Sequence, residues 1–344
     1  RTIQINGLPE AAQLANIENV DAVVIALKSR TIEIEQAVSM SLSSLKVLKK
    51  IGCEKFYFKY CSTFDSTAQG NIGPVIDALM EDLGVRSTII CPALPVNGRT
   101  VYQGQLFVFD KLLHESPMKD HPLTPMHDAS IVRMMENQGQ GKAISIPYNI
   151  VERGAAAITQ ALIDGSQHHK YLVLDAVNNS HLLTIGKCLQ GYTLITGGSG
   201  LALDLCQEFI NAGGQKSNAK DAIMPIKAPS LILSGSSSAM TQRQVLEYSK
   251  HHPMLALDVE KLTIGEQNIE TILTWLASVK DQAPIITATA SPEEINRNQE
   301  NFGTAYVAEL IEQTLSSIAV AAKESLSFRN FVIAGGETSG AVVN

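Results

Sequence analysis

A polar segment, Lys59–Gly73 (KYCSTFDSTAQGNIG), carries residues whose types and spacing could do chemistry. It contains a cation, a carboxylate and four hydroxyl groups: Lys59, Asp65, Ser62, Thr63, Ser66 and Thr67. A strand-like run, Lys55–Phe58, precedes it and a helical run, Pro74–Met80, follows it. A loop that leads from a strand into a helix presents hydroxyl and backbone N–H groups to anions at the edge of a sheet. The segment therefore predicts an anion-binding loop, with a helix cap as the alternative role for Asp65 or Thr67 alone.

Four cations follow predicted strands in the first half of the chain: Lys28, Arg30, Lys59 and Arg99. Ligands of open α/β sheets bind beyond the carboxyl ends of the strands, so we expect these side chains near one sheet edge. Asn97 and Gly98 belong to the same loop as Arg99. Because arginine offers a bidentate fork to a carboxylate or phosphate, the cations predict a pocket for a small acid or phosphate ester. The alternative is solvated surface charge.

Glycine- and serine-rich loops in the second half of the chain indicate a nucleotide. Ser234–Ser238 (SGSSS) and Gly335–Gly340 (GGETSG) each follow a predicted strand and precede a predicted helix. Both offer small residues, hydroxyl groups and backbone N–H groups to a polyphosphate. In the first half, Ile195–Gly200 (ITGGSG) resembles a dinucleotide fingerprint, but Leu203 replaces its last small residue. A tight turn and a ligand loop stay equally open there, and the chain contains no P-loop motif.

Composition limits the class of protein. The 344 residues predict about two domains, and a hydrophobic content of 45% allows each to bury a core. The net charge of −7 argues against nucleic acid as the main partner, because phosphate neutralisation requires a basic surface. An anionic small molecule stays open, since a few residues set the local field. The histidines do not occur at metal-ligand spacing, so we predict no protein-only metal site.

Five scattered cysteines without a CxxC motif indicate reduced thiols in a cytoplasmic protein. Cys61 lies in the polar segment, where we expect a structural thiol rather than a nucleophile. No apolar run approaches the roughly 18 residues of a membrane span. Thr2–Ile5 has a strand pattern and Ala341–Asn344 has the pattern of a helix start, so we expect the native chain to extend beyond both ends.

Predicted strands alternate with predicted helices along the chain, which favours a parallel sheet covered by helices. One strand, Val20–Leu27, has the continuous apolar run typical of a buried parallel strand. Other strands are expected at Ala143–Ile146, Tyr171–Leu174 and Tyr192–Ile195, and a helix is expected at Ile269–Val279. The section Val96–Pro125 interrupts the alternation and predicts a hairpin-like excursion, after which Asp128 is expected to cap a helix at Ala129–Asn137.

The fold class that follows is α/β with two domains, each a mainly parallel sheet flanked by helices. A polar segment with little periodicity, Asn211–Ala228, is the predicted linker. We therefore place a ligand-binding domain at residues 1–215 and a nucleotide-binding domain at residues 216–344, the latter incomplete at its carboxyl end. The active site is expected in the cleft between the domains.

Six motifs resemble, in this order and over the whole chain, those of the four-carbon acid sugar kinases: KYCSTFDST…GNIGP, PxNGRTVYQG, HPLTPM, TGGSGLA, LSGS and AGGETSGAV. The resemblance implies that the N-terminal domain binds a sugar acid and that the C-terminal domain binds ATP. It implies transfer of the γ-phosphoryl group of ATP to the terminal C4 hydroxyl of a four-carbon acid. Among members of the family, the chain most resembles those that act on 3-oxo-tetronate. The alternatives are a threonate or erythronate kinase and, from other classes, an NAD-dependent oxidoreductase or a non-catalytic sugar-acid binding protein.

The resemblance also implies roles for individual residues. The expected sugar-acid side comprises Lys28, Arg30, Lys59, Ser66, Thr67, Asn97, Gly98 and Arg99. The expected ATP side comprises Ser234, Ser236, Gly335, Gly336, Glu337, Thr338 and Ser339. The chain departs from the family at its ends, because an acidic Asp-Asp-x-Thr-Gly loop and a late glycine loop do not occur in it.

Phosphoryl transfer requires positioning and charge stabilisation more than covalent catalysis. Asp65 is the candidate for orienting or deprotonating the attacking hydroxyl, with an aspartate of the family's amino-terminal loop as an equal rival. Mg²⁺ bridging the ATP oxygens would need few protein ligands. The expected partner is the small sugar acid, without nucleic acid or membrane, and a homo-oligomer is left open.

Overall fold

The computed structural model describes residues 2–9, 20–121, 123–203, 205, 227–236, 238–289 and 291–343. The chain divides into two compact units, Arg1–Asn218 and Ala219–Asn344. The predicted boundary at residues 215 and 216, and residues 211–226 of the predicted linker, lie outside the described residues.

The described part of the first unit contains these strands: β1 (Thr2–Asn6), β2 (Ala22–Ala26), β3 (Phe56–Lys59), β4 (Thr88–Cys91), β5 (Arg99–Tyr102), β6 (Gln105–Val108), β7 (Lys111–Leu112), β8 (Ala143–Ile146), β9 (Tyr171–Leu174) and β10 (Leu194–Gly197). Its helices are α1 (Ile34–Lys50), α2 (Ile72–Leu83), α3 (Ile131–Gln138), α4 (Tyr148–Val151), α5 (Ala155–Ser166) and α6 (Asn179–Cys188).

A five-stranded parallel sheet in the order β3-β10-β4-β9-β8 is the centre of this unit. Every residue of β4 (TIIC) and β9 (YLVL) is buried, as expected of parallel strands covered on both faces. Helices supply the covering side chains, including Ile76 and Met80 of α2 and Met135 of α3. The parallel sheet places the loops after β3, β10 and β4 side by side at its carboxyl edge.

The strand predicted at Val20–Leu27 forms, but the expectation that it is fully buried is wrong. Strand β2 pairs in parallel with β1, and its burial pattern alternates between exposed and half-buried residues. The side chain of Val24 is 44% exposed. Within the described residues β1 and β2 form a separate two-stranded sheet, so an apolar run did not specify burial on both faces.

The hairpin-like excursion is confirmed. Strands β5, β6 and β7 form an antiparallel sheet, and the turn between β5 and β6 has positive φ at Gln103 (52°) and Gly104 (70°). Two positive φ values are typical of the turn that matches the twist of a two-residue hairpin. A bridge between Val101 and Ala176 attaches this hairpin to the residues that follow β9.

Two boundary predictions in this unit are wrong. Ser130, not Asp128, is the N-cap of α3, and its side chain accepts a hydrogen bond from the Arg133 backbone N–H. Asp128 instead accepts from the Ser130 N–H at 2.9 Å and forms an ion pair with Arg133. The strand expected at Tyr192–Ile195 lies two residues later, as β10, so Gly197 is its last residue.

The second unit contains the strands β11 (Ser230–Ser234), β12 (Met254–Ala256), β13 (Ile285–Thr287) and β14 (Asn330–Ala334). Its helices are α7 (Ala239–Ser249), α8 (Val259–Thr263), α9 (Ile269–Val279), α10 (Pro292–Phe302), α11 (Thr304–Ser325) and α12 (Gly336–Val343). The sheet is parallel in the order β12-β13-β11-β14, and its core includes Leu231, Leu233, Ile286, Leu315 and Phe328. This is the predicted α/β architecture.

The carboxyl end of the second unit differs from the prediction in one detail. The glycine-rich segment after β14 is not a loop that precedes a helix, because α12 begins at Gly336. Residues 336–339 are therefore the first turn of a helix, in which the leading backbone N–H groups have no partner within the helix.

Candidate active site

The polar segment after β3 contains two consecutive residues in the left-handed region, Phe64 (φ 62°) and Asp65 (φ 32°). This conformation is costly for residues other than glycine and occurs where surrounding structure enforces it. The Phe64 side chain is fully buried and packs edge-to-face on Tyr60, with ring centroids 5.4 Å apart. The buried phenyl ring anchors the turn and thereby fixes the direction of the neighbouring carboxylate.

Asp65 is 4% exposed and accepts hydrogen bonds through both of its carboxylate oxygens. Thr63 Oγ1 donates to Oδ1 at 2.5 Å, and Arg30 Nη1 donates to Oδ2 at 3.1 Å. The Arg30 side chain is 43% exposed, so part of its guanidinium group lies at the surface. The structure thus joins a candidate catalytic residue and a candidate substrate-binding cation that lie 35 positions apart.

Asn71 holds the loop after β2 against this segment. Its Nδ2 atom donates to the backbone carbonyls of Ser29 at 2.8 Å and Ile32 at 3.1 Å. The side chain is 6% exposed. Because Arg30 lies between the two carbonyls, Asn71 fixes the backbone from which the guanidinium group reaches Asp65. No local pattern predicts this role, because it depends on a contact between residues 42 positions apart.

The glycine turn after β10 lies between the loops that follow β3 and β4. The Gly198 N–H donates to the Cys91 carbonyl at 2.9 Å, and the Tyr57 hydroxyl donates to the Gly198 carbonyl at 2.5 Å. A Cβ atom at Gly198 would lie 2.7 Å from the Pro92 carbonyl oxygen. Close packing between backbones therefore accounts for glycine at this position without a ligand.

Arg99 is engaged within its own hairpin. Its Nη1 donates to the Asn97 carbonyl, and its guanidinium carbon lies 5.5 Å from the centroid of the Phe109 ring. Gly98 has φ 70°, and a Cβ atom there would lie 2.4 Å from the Phe109 ring. Asn97, Gly98 and Arg99 thus form one compact turn. Lys28 and Lys59 are exposed residues in the loop after β2 and at the end of β3.

A buried carboxylate that the sequence analysis missed holds the hairpin in place. Asp175 follows β9, is fully buried, and accepts three backbone hydrogen bonds: Gln103 N at 2.6 Å, Gly104 N at 2.9 Å and Tyr148 N at 2.7 Å. Burial raises the pKa of Asp175, although the three N–H donors oppose the shift. Its function is to connect the hairpin to the sheet edge.

In the second unit, three adjacent strands end in polar loops. Gly235, after β11, donates its N–H to the Ala334 carbonyl of β14 at 2.9 Å. Thr338 is 3% exposed, and its Oγ1 lies 2.1 Å from where a Cβ at Gly235 would be and 2.9 Å from that of Gly335. Both glycines are therefore required by the threonine that packs between the two predicted nucleotide loops.

Thr289, after β13, completes this group and was not predicted. Its Oγ1 lies 3.0 Å from Ser234 Oγ and donates to the Ser236 carbonyl at 2.8 Å. Ser234 is fully buried, so its hydroxyl group supports the loop from inside. A hydroxyl two residues beyond an apolar strand, in the sequence TATAS, was the available signal.

The residues at the start of α12 fit a phosphate group. Gly336 is exposed, and a Cβ atom there would have no heavy atom within 4 Å. The Ser339 N–H and hydroxyl both donate to the Gly335 carbonyl, at 2.9 and 2.7 Å, which fixes the turn. The side chain of Glu337 lies outside the described residues. In the described part of the chain, no group of three or more His, Cys, Asp or Glu residues could hold a metal ion.

Comparison with known proteins gives the class of this two-domain α/β protein. Residues 1–205 match the family of sugar-binding N-terminal domains, and residues 231–344 match the family of nucleotide-binding C-terminal domains. The chain belongs to the four-carbon acid sugar kinase family, whose members combine these two domains. The predicted fold class, the family and the ATP-dependent kinase class are confirmed.

Individual relatives are similar over almost the whole chain. The 3-oxo-tetronate kinase of Pectobacterium atrosepticum is 45% identical, covering 99% of this chain and 81% of that protein. The 3-oxo-tetronate kinase of Brucella melitensis is 46% identical, covering 99% of this chain and 78% of that protein. A crystal structure from Salmonella typhimurium LT2, named as a candidate tRNA synthase, is 44% identical with a TM-score of 0.80, and covers 99% of this chain and 81% of that one.

Within the described residues, no helix is long and apolar enough to cross a membrane.

Proposed function

We propose that the chain transfers the γ-phosphoryl group of ATP to the C4 hydroxyl of 3-oxo-tetronate, forming 3-oxo-tetronate 4-phosphate. The observation that carries the proposal is the Arg30–Asp65 pair on a strained loop of the sugar-binding domain, in a chain whose relatives carry this name. An arginine held by a buried carboxylate is oriented before substrate arrives, and such preorganisation favours binding of an anionic acid.

On the sugar-acid side, Arg30 binds the substrate carboxylate and Asp65 orients Arg30. Asp65 is 4% exposed and forms an ion pair with Arg30, so we assign Asp65 to positioning this arginine rather than to proton abstraction. Ser66 and Thr67 contact substrate hydroxyl groups. The remaining predicted contacts, Lys28, Lys59 and the Asn97–Arg99 turn, are proposed to surround the acid with positive charge.

On the nucleotide side, we propose that the phosphates of ATP bind at the start of α12 and at the adjoining β11 loop. The backbone N–H groups of residues 336–338 and the hydroxyl group of Ser236 are the donors, while Ser234, Thr338 and Ser339 hold the loops in place. We also propose that Glu337 belongs to this nucleotide site, as the sequence predicts. Mg²⁺ bound to the ATP oxygens would neutralise the charge that develops during phosphoryl transfer. An ATP-dependent reaction also favours the predicted cytoplasmic location.

An ADP-release assay with ATP·Mg²⁺ tests this function. The panel comprises 3-oxo-tetronate, threonate and erythronate, each with an acid-free control for ATP hydrolysis. Turnover confined to 3-oxo-tetronate supports the proposal, whereas turnover confined to threonate or erythronate replaces the substrate and keeps the reaction. Absence of acid-dependent ADP release with every member overturns the proposal.

A further inference from the structure

Gln138, the last residue of α3, inserts its side chain amide into the segment that follows β3. Its Nε2 donates to Ser66 Oγ at 2.9 Å and to the Thr67 carbonyl at 2.5 Å. Its Oε1 accepts from the Gly73 N–H at 2.9 Å. One side chain thus connects both ends of residues 66–73, although it lies 72 positions from Ser66 along the chain.

The glycines of this segment are explained by the same contact. A Cβ atom at Gly70 would lie 1.9 Å from Ser66 Oγ and 3.0 Å from Gln138 Nε2. A Cβ atom at Gly73 would lie 2.6 Å from Gln138 Cβ and 2.9 Å from its carbonyl carbon. The backbone of residues 66–73 is therefore closed around the Gln138 amide, and both glycines are needed for the close approach.

We propose that Gln138 is a positioning residue of the sugar-acid site, an inference that rests on the proposed function. A hydroxyl group has a single hydrogen to donate. Because Ser66 Oγ accepts from Gln138 Nε2, its own hydrogen is left for another acceptor, and we propose that an oxygen of the sugar acid is that acceptor at this 3% exposed residue. Gln138 thereby makes Ser66 a donor and fixes the Thr67 backbone beside it.

Replacing Gln138 by glutamate distinguishes the acceptor role of the amide oxygen from the donor role of the amide nitrogen. Gln138→Glu keeps an acceptor for the Gly73 N–H but loses the donors to Ser66 and Thr67, and the new carboxylate draws the Ser66 hydrogen to itself. We expect the KM for 3-oxo-tetronate to rise about tenfold, since one lost hydrogen bond corresponds to about 1.4 kcal/mol. The KM for ATP should stay within about twofold of the wild-type value.

Gln140→Glu is the matched control, because it makes the same change two residues later at an exposed position outside the proposed site. A double-mutant cycle with Ser66→Ala tests the mechanism. If Gln138 acts through Ser66, the glutamate substitution should raise the KM for the acid by less than about threefold in the Ser66→Ala background.

Hydrogen exchange provides a readout that does not depend on activity. In Gln138→Met, the Gly73 amide should exchange faster than in wild type while the amides of β4 and β9 do not.

The outcomes separate this inference from the proposed function. A wild-type protein that phosphorylates the acid, together with an unchanged KM in Gln138→Glu, overturns only the positioning role. An equal rise in the KM for ATP would also overturn it, because a general structural effect would then explain the result. A wild-type protein without turnover on any acid overturns the proposed function and this inference with it.

Discussion

Asp65 is held between a threonine hydroxyl group and an arginine, in a backbone conformation that few residues other than glycine adopt. The packing of Phe64 compensates for the strained turn. Strain of this kind, which costs about 1–3 kcal/mol per residue, persists where surrounding structure enforces it and is concentrated at functional sites. The position of Arg30 is then determined by the fold before any ligand binds.

Asp65→Asn tests whether this carboxylate orients Arg30. The substitution keeps the size of the side chain but removes the charge that attracts the guanidinium group. We expect kcat/KM for the sugar acid to fall about 10- to 100-fold, since a hydrogen bond to a charged group contributes about 1.5–3 kcal/mol. Steady-state kinetics at saturating ATP measure the effect.

Asp77→Asn is the control, because Asp77 is another buried aspartate of the same unit. It accepts from Tyr171 at 2.6 Å, from Lys170 at 3.0 Å and from the Gln140 N–H at 2.7 Å. This variant should lose about 1–3 kcal/mol of unfolding free energy and keep its kcat/KM. If kcat/KM of the Asp65→Asn enzyme stays within about threefold of the wild-type value, Asp65 only stabilises the local turn.

The thiol of Cys91, the last residue of β4, makes the free energy of unfolding depend on pH in the alkaline range. Burial raises the pKa of its thiol from 9.0 to about 12. In the unfolded chain the thiol ionises at its ordinary pKa, whereas in the folded chain it stays neutral. The stabilisation is therefore complete below pH 9 and is lost as the pH rises from 9 towards 12.

Denaturant unfolding at pH 8, 9, 10 and 11 (about one-unit steps) measures this effect. The wild-type unfolding free energy should fall more steeply above pH 9 than that of Cys91→Ala, by up to about 1.4 kcal/mol per pH unit. The comparison is required because burial also raises the pKa of Tyr57 and Tyr60. Parallel pH profiles of the two proteins would contradict the assignment.

At the residue scale, the sequence indicated the groups that carry charge but not the amides and hydroxyl groups that hold them. Asp65 and Arg30 were recognisable because ionic side chains followed predicted strands. Asn71, Gln138 and Thr289 contact partners that are 42, 72 and 53 positions away. No local pattern predicts such contacts, because they depend on the register in which helices pack against the sheet.

At the element scale, the strongly apolar strands and the periodic helices were predicted well. Strands β8 and β9 and helix α9 have the predicted bounds. Helix α10 (PEEINRNQENF) was missed because its sequence is mostly polar, although a capping box between Ser291 and Glu294 marks its start. Burial of β2 was overestimated because the sequence does not show which elements cover a strand.

Gly198→Ala distinguishes the two interpretations of the glycine turn after β10. A methyl group would lie 2.7 Å from a backbone carbonyl that cannot move cheaply, so we expect a loss of about 1–3 kcal/mol of unfolding free energy. Gly191→Ala, where a Cβ would have no heavy atom within 4 Å, should change it by less than about 0.5 kcal/mol. Unchanged stability of Gly198→Ala with lost activity would instead favour a ligand loop.

Gly336→Val tests the first turn of α12 as the phosphate site. A Cβ atom here would have no heavy atom within 4 Å, so we expect the fold to tolerate the substitution, while the side chain would occupy the space proposed for phosphate. We expect the KM for ATP to rise at least about tenfold while the KM for the acid stays within about twofold. Gly191→Val, in the other unit, is the control. An unchanged KM for ATP would place the nucleotide elsewhere.

At the scale of the whole molecule, two parallel α/β sheets carry separate tasks. Each sheet gathers its polar loops at the carboxyl ends of adjacent strands, as is general for open α/β sheets. Acidic net charge and local cations coexist in one chain because a few residues set the field at a site. Substitutions in the first unit should therefore change the KM for the acid and leave the KM for ATP unchanged, and substitutions in the second unit should do the reverse.

Identification of the phosphorylated product tests the central claim most directly. The native protein is incubated with ATP·Mg²⁺ and 3-oxo-tetronate, and the product is analysed by mass spectrometry and by phosphorus–proton coupling in NMR. We predict a monophosphate whose phosphorus couples to the two protons on C4. A phosphate on another carbon, or an acid recovered unchanged while ATP is present, would contradict this account.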